Sequence, residues 1–197
     1  MTAAGAAGTV TPAWILPDRG RVGILGLIVA ESAVFTIFVA AYIYYIGKSL
    51  GGPTPARVLD LPVVVSILLW SSSVTIHVAV RALRDGRVQT FTLWWLVTIL
   101  LGALFLAGTG VEWHRLIYQD GLTIRTNLFG TTFYSLVGLH ASHVIVGLLL
   151  LTIVLLLALG GHVNRSHAGR AETLSLYWHF VDAVWVVVVL VVYVVGR

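Results

Sequence analysis

Five apolar stretches set the terms on which this chain can fold. They run over residues 22–46, 61–83, 90–117, 129–160 and 172–195. Each exceeds the roughly 20 residues that a helix needs to cross the hydrocarbon core of a bilayer. In hydrocarbon every backbone N–H and C=O must find a partner, which leaves only helices and closed barrels. The stretches are too long for barrel strands and do not alternate with period two. The sequence therefore predicts an all-α polytopic membrane protein, a bundle of five transmembrane helices forming a single domain over residues 19–197. A mobile tail over 1–18 precedes it. The tail, "MTAAGAAGTVTPAW", has neither the positive start nor the apolar core of a cleaved signal peptide.

Composition narrows the function. The chain is 58% hydrophobic and only 10% charged, against about 25% charged in soluble domains. It has no cysteine, so disulfides, thiolate metal sites and cysteine nucleophiles are excluded. The net charge of +4 does not point to nucleic acid, because the arginines flank the spans and form no separate basic helix. Arg19, Arg21, Arg81, Arg84, Arg87, Arg165 and Arg170 fall on one side of the predicted topology. Lys48, Arg57, Arg115, Arg125 and Arg197 fall on the other. The excess predicts a cytoplasmic N-terminus and an outside C-terminus.

Aromatic and small residues suggest how the spans sit. Trp94 and Trp113 bracket the third stretch, a helical rise of about 28 Å, so Trp94, Trp95 and Trp113 are expected at the two interfaces. Glu112, Trp113 and His114 are then interfacial on the outer side. Trp178 is expected to pack its ring while its N–H bonds near an interface. Gly23, Gly26, Ala30 and Ala33 form a small-residue stripe on the first span. Ala103 and Ala107 do so on the third, and Gly138 and Ser142 on the fourth; all are read as helix contacts.

The informative residues are the polar ones that lipid does not tolerate. Glu31 stands about 15 Å into the first span, counted from Arg21 by helical rise, with apolar Leu27, Ile28, Val34 and Phe35 around it. His140 and His143, in "GLHASHV", share a face of the fourth span. His179 and Asp182 lie a turn apart in the fifth. A charge at such depth costs on the order of 2.5–3.5 kcal/mol, so these groups must face the protein interior, water or a partner. Three chemistries fit the residue types: histidine ligation of a metal or haem, a proton relay, and interhelical hydrogen bonding. His77, near the end of its span, and His114, His162 and His167, at span ends, fit solvated roles.

Four motifs in order bring a family into view: "RVGILGLIVAESAVFTIFVAAY", "GVEWHRLI", "NLFGTTFYSLVGLHASHVIVGL" and "YWHFVDAVW". Together they resemble subunit III of the haem–copper oxidases, the cytochrome c and quinol oxidases, from about Arg19 onward. The match is to a five-span short form that lacks the first two spans of the seven-span members. Ala141 and Ser142 stand where the family often has Gly-Leu. The resemblance implies an accessory, non-catalytic subunit of a proton-pumping terminal oxidase, working in aerobic respiration. It would stabilise subunit I, bind lipid and support proton uptake. It implies no catalytic residue, cofactor or metal in this chain, with haem and copper in the partner subunits. Glu31 maps to the family's buried, carbodiimide-reactive carboxyl. His140, His143, His179 and Asp182 are expected to form an interhelical polar network. The implied partners are subunit I above all, subunit II, a small fourth subunit and phospholipids, in a bacterial inner membrane. The rivals are the same fold serving a quinol oxidase or nitric oxide reductase, a histidine-ligated haem electron carrier, and a proton-coupled carrier.

Overall fold

The computed structural model describes residues 19–196; the tail over 1–18 and Arg197 lie outside the described residues. Five helices are long and apolar enough to cross a membrane. They are α1 (Arg19–Tyr45), α3 (Val63–Arg84), α4 (Val88–Tyr118), α5 (Leu128–Leu159) and α6 (Ala168–Val188). A short α2 (Pro55–Val58) interrupts the first connection, and a π-helical segment, Val189–Val195, continues α6. Among the described residues there is no strand. The chain is thus an all-α, multi-pass membrane protein.

Local chemistry sets the helix ends. A 3₁₀ turn, Arg165–His167, leads straight into α6 ahead of its apolar run, and Asn164 opens that turn with a capping box. The Asn164 side chain accepts from the Ser166 N–H at 3.0 Å, and the Asn164 N–H donates to His167 Nδ1 at 3.3 Å. The α3–α4 and α5–α6 connections close alike. Gly86 and Gly161 take φ of +78° and +75°, and the following N–H groups of Arg87 and His162 reach back to the Ala82 and Leu157 carbonyls at 2.9 Å. This is the Schellman termination, and its left-handed position favours glycine. Asn127 caps α5 by accepting from the Gly130 N–H at 2.8 Å. Its amide donates to the Gly51 and Pro53 carbonyls, both at 3.0 Å. One side chain so fixes both the start of α5 and the first connection. Gly130 is required there, since a Cβ would collide with the Thr123 carbonyl.

The helices α3, α4, α5 and α6 form a closed ring, each against the next, and α1 lies outside it on α5 and α6. Three tryptophans fill the ring. Trp178 is fully buried, and its indole N–H donates to Ser72 Oγ on α3 at 2.8 Å. Its ring lies where a Cβ on Gly102 of α4 or Gly147 of α5 would stand, each within 2.8 Å. One α6 side chain therefore locks three other helices. Trp185 donates to Ser66 Oγ at 3.0 Å, and Trp95 to the Leu151 carbonyl at 2.9 Å.

Three sequence expectations change here. Trp95 and Trp178 are core residues rather than interfacial ones, because each finds a buried acceptor on a neighbouring helix. The stripe on α1 is not a contact within the chain, since a Cβ on Gly23 or Gly26 would meet nothing within 4 Å. Gly102, Gly108 and Gly147, which the stripe reading passed over, each lie where a Cβ would collide with a side chain of a neighbouring helix, while Gly138 of the expected stripe meets the Trp113 ring at 3.5 Å.

Candidate functional site

Two polar clusters sit inside the membrane-spanning part of the bundle. The first joins α1 to α5. His143 Nε2 is 3.1 Å from Glu31 Oε2, while His143 Nδ1 is 2.8 Å from the Leu139 carbonyl. A carbonyl only accepts, so Nδ1 carries a hydrogen. Nε2 then either accepts from a carboxylic acid O–H or, on an imidazolium, donates to a carboxylate. Both arrangements are net neutral and place one proton between the two heavy atoms. The Phe35 ring lies 5.0 Å from the His143 ring, and the Tyr177 hydroxyl donates to the His143 carbonyl at 3.2 Å. The pair forms the floor of a groove of about 220 Å³, walled by Ile24, Leu27, Val146 and Leu150.

The second cluster joins α3 to α6. Ser73 Oγ lies 2.9 Å from His179 Nδ1 and hydrogen-bonds Asp182 Oδ2. A serine has one hydrogen to give. If it goes to Asp182, His179 Nδ1 is the donor to Ser73, and a three-group chain runs from imidazole through hydroxyl to carboxyl. Asp182 is 5% exposed, and its Oδ1 is buried with no partner among the described residues.

His140 departs from the expected network. It is fully buried, and neither ring nitrogen has a hydrogen-bond partner among the described residues. It stacks on Trp185 with ring centroids 4.9 Å apart at 27°, and meets Phe105 edge-on at 5.8 Å. His140 and His143 therefore engage different neighbours: one faces the ring interior and the other faces α1. Among the described residues, no three His, Asp or Glu side chains are grouped to hold a metal ion.

At the end of the bundle where α4 finishes, Tyr193 donates to the Glu112 carboxylate, 3.3 Å from either oxygen. Trp113 is half-buried, its ring edge-on to Tyr134 at 5.3 Å and its N–H without a partner among the described residues. His114 is exposed, 4.6 Å from the Tyr118 ring. Arg115 binds Asp60 at 2.6 Å and the Val58 carbonyl at 2.9 Å, pinning α2 to the end of α4. The sequence reading missed Ser73 and Tyr177. The signal for Ser73 was present: "SSSVT" puts consecutive hydroxyls in an otherwise apolar span.

Known proteins are similar to this chain over most of its length. The family described as cytochrome c oxidase subunit III matches residues 17–197. A cytochrome c oxidase subunit 3 from Synechocystis sp. is 40% identical over 181 residues, 90% of this chain and 76% of the relative. One from Alkalihalophilus pseudofirmus is 33% identical over 168 residues, 84% of this chain and 82% of the relative. A quinol oxidase subunit 3 from Bacillus subtilis is 30% identical over 186 residues, 91% and 90% of the two chains. With a match over nearly its whole length, the chain belongs to the cytochrome c oxidase subunit III family.

Proposed function

We propose that the chain is the accessory, non-catalytic subunit III of a proton-pumping terminal oxidase in a bacterial plasma membrane. In this reading electrons reach oxygen through haem and copper in the partner subunits. Subunit III packs against subunit I, with subunit II and a small fourth subunit completing the complex. It binds phospholipid and supports proton uptake. The N-terminus is cytoplasmic and the C-terminus outside.

The observation that carries the reading is the contrast within α1. Of its 27 residues only Phe35 and Tyr42 are buried, yet mid-helix it carries Glu31, bonded to His143 across the helix boundary. A carboxyl so deep, beside an otherwise uncovered apolar face, suits a helix completed by lipid or another subunit. The shared proton of Glu31 and His143 gives the groove a group able to pass a proton on. His179, Ser73 and Asp182 play a positioning part, tying α6 to α3 behind it. Orientation is supported by charge. Arg19, Arg21, Arg81, Arg84, Arg87, Arg165 and Arg170 fall at one end of the antiparallel bundle and outnumber Lys48, Arg57, Arg115 and Arg125 at the other.

The test is co-purification. The full chain is tagged at its N-terminus and extracted from native membranes in a mild detergent. Equal recovery of a large haem- and copper-bearing subunit is the expected result. Recovery alone, under conditions that keep other respiratory complexes intact, overturns the reading. A quinol donor is the second reading, favoured by the extent of the match to the quinol oxidase subunit; the co-purified partners decide it.

A further inference from the structure

The ring of α3 to α6 has a mouth at the end of the bundle where α3 and α5 finish and α4 and α6 begin. All four helices line a cavity of about 160 Å³ there. Its floor is apolar. Leu83 and Phe91 are both fully buried, with Val154 and Leu157 of α5 beside them. The Phe91 ring lies 4.9 Å from that of Trp95, which backs the floor with a second ring.

The rim carries three nitrogen donors, from His162, His167 and Arg170. The capping box fixes the state of one of them. His167 Nδ1 accepts from the Asn164 N–H at 3.3 Å, so the ring hydrogen sits on Nε2, which is left to donate. His162 folds back on α5: a Cβ on Gly160 would stand 2.9 Å from its Nδ1. Arg170 is exposed and has no carboxylate in ion-pair reach among the described residues. The nearby carboxylates of Asp85 and Glu172 are taken by Arg87 and Arg84. The rim therefore offers donors and positive charge that no described carboxylate receives.

We propose that this cavity binds a compact aromatic carboxylate from the aqueous phase. The ring of the ligand lies over Phe91, against Val154 and Leu157. Its carboxylate meets Arg170, with His162 and His167 as further donors. Size decides between occupants. An apolar protein cavity of about 150 Å³ takes up one benzene ring, so this one admits a single ring and not a membrane acyl chain. All four ring helices wall it, so the way in is past the polar rim and not sideways from lipid. An inorganic anion would use the rim and leave the apolar floor uncovered. Guanidinium pairs with a carboxylate through forked donors, which holds the head at the mouth while the ring sits below it. The site shares no lining residue with the Glu31 groove. It goes beyond the accessory role, giving this end of the subunit a soluble ligand of its own.

The probe is phenylacetate carrying a photoreactive diazirine, with its uncharged amide as control. Both are applied to the full chain extracted in mild detergent with whatever subunits accompany it. Both ends of the bundle are then open to solution, so the test does not depend on orientation in the membrane. Adducts are mapped by mass spectrometry. Labelling of residues 83–91 and 154–171 is expected to saturate and to be displaced by unlabelled phenylacetate. The amide, which loses the charge-assisted bond, should label at least about tenfold less. Arg170→Gln should bring the carboxylate down to the level of the amide. Leu157→Trp, at a position 47% exposed, should fill the cavity and abolish labelling by both probes while the rim charges stay in place. Each variant is compared as the fraction eluting at the parent's volume, so misfolded material does not enter the ratio. Equal, unsaturable labelling by acid and amide overturns the proposal, because it reports only partition onto an apolar surface. So does full labelling of the Arg170→Gln variant, an unlabelled parent complex, or displacement by phosphatidylglycerol, which would make the cavity a lipid site.

Discussion

His140 offers the sharpest test of how this bundle is held together. The family motif and the sequence spacing both suggest a hydrogen-bonded histidine. The structure instead gives a fully buried imidazole whose donor and acceptor nitrogens have no partner among the described residues, stacked on Trp185. A buried polar group left unpaired costs about 1–3 kcal/mol. In membrane proteins the effect lies near the lower end, because the unfolded reference state finds partners of its own. Replacing His140 with Phe removes both unpaired atoms and keeps an aromatic ring against Trp185 and Phe105. One additional ring atom must be fitted, and overpacking of this kind offsets part of the gain. The expected net effect of His140→Phe is between zero and a gain of about 2 kcal/mol. It is read as reversible unfolding in mixed detergent–SDS micelles, followed by tryptophan fluorescence. His143→Phe is the contrasting variant, since it leaves Glu31 buried without its partner and should lose stability. A loss above about 1 kcal/mol for His140→Phe would refute the reasoning and show that the ring nitrogens make a bond that matters.

The other predictions are shorter. Glu31→Gln should leave assembly intact and abolish labelling by a hydrophobic carbodiimide; equal labelling of variant and parent would remove Glu31 as the reactive carboxyl. Ser73→Ala should lower stability by about 1–3 kcal/mol, because it strips Asp182 of its hydrogen bond, and adding Asp182→Leu should recover part of the loss. If the double variant is as unstable as the sum of the single ones, the two residues do not act together. Gly147→Ala should cost about 1–3 kcal/mol, since its Cβ would stand 2.8 Å from the Trp178 ring. An unchanged unfolding midpoint would mean that Trp178 does not lock α5.

The spans were legible because hydrocarbon enforces one rule on every residue of a crossing segment, and the apolar runs write it plainly. Helix ends were less so. α6 begins at Ala168 rather than near 172 because it continues directly from the 3₁₀ turn that the Asn164 capping box opens in polar sequence. The clusters were half legible. Glu31, His143, His179 and Asp182 announced themselves as costly groups, and the pairings Glu31–His143 and His179–Ser73–Asp182 depend on which helices adjoin. Spacing along one helix does not carry that information. His140 and His143 sit three residues apart and look like a pair. The ring closure of α3 to α6 sends one to the interior and the other to α1. Trp95 and Trp178 misled for a related reason: tryptophan suits both interfaces and cores, and the acceptors that decide between them, Leu151 and Ser72, lie on other helices.

The arrangement separates two tasks by helix. α3 to α6 form a ring that satisfies itself: Trp95, Trp178 and Trp185 each bury their N–H on a neighbour, and small residues at 102 and 147 admit the largest side chain. Helices in lipid gain little from burying apolar surface against one another, so close packing and such bonds must hold the ring. α1 has almost none of this. It is attached through Phe35, Tyr42, the partly buried Ile24, Phe38 and Val39 and the Glu31–His143 bond, and its outward residues Val22, Leu25, Val29 and Ile37 are each about half-exposed or more. A helix packed on one side only gains greatly from a neighbour on its open face. The pair also fixes its rotation, because turning α1 by one residue would carry Glu31 away from His143 into hydrocarbon. The Glu31 carboxyl thus sets which face of α1 is offered outward, and the small residues Gly23 and Gly26, idle within the chain, lie ready for close approach by whatever covers it.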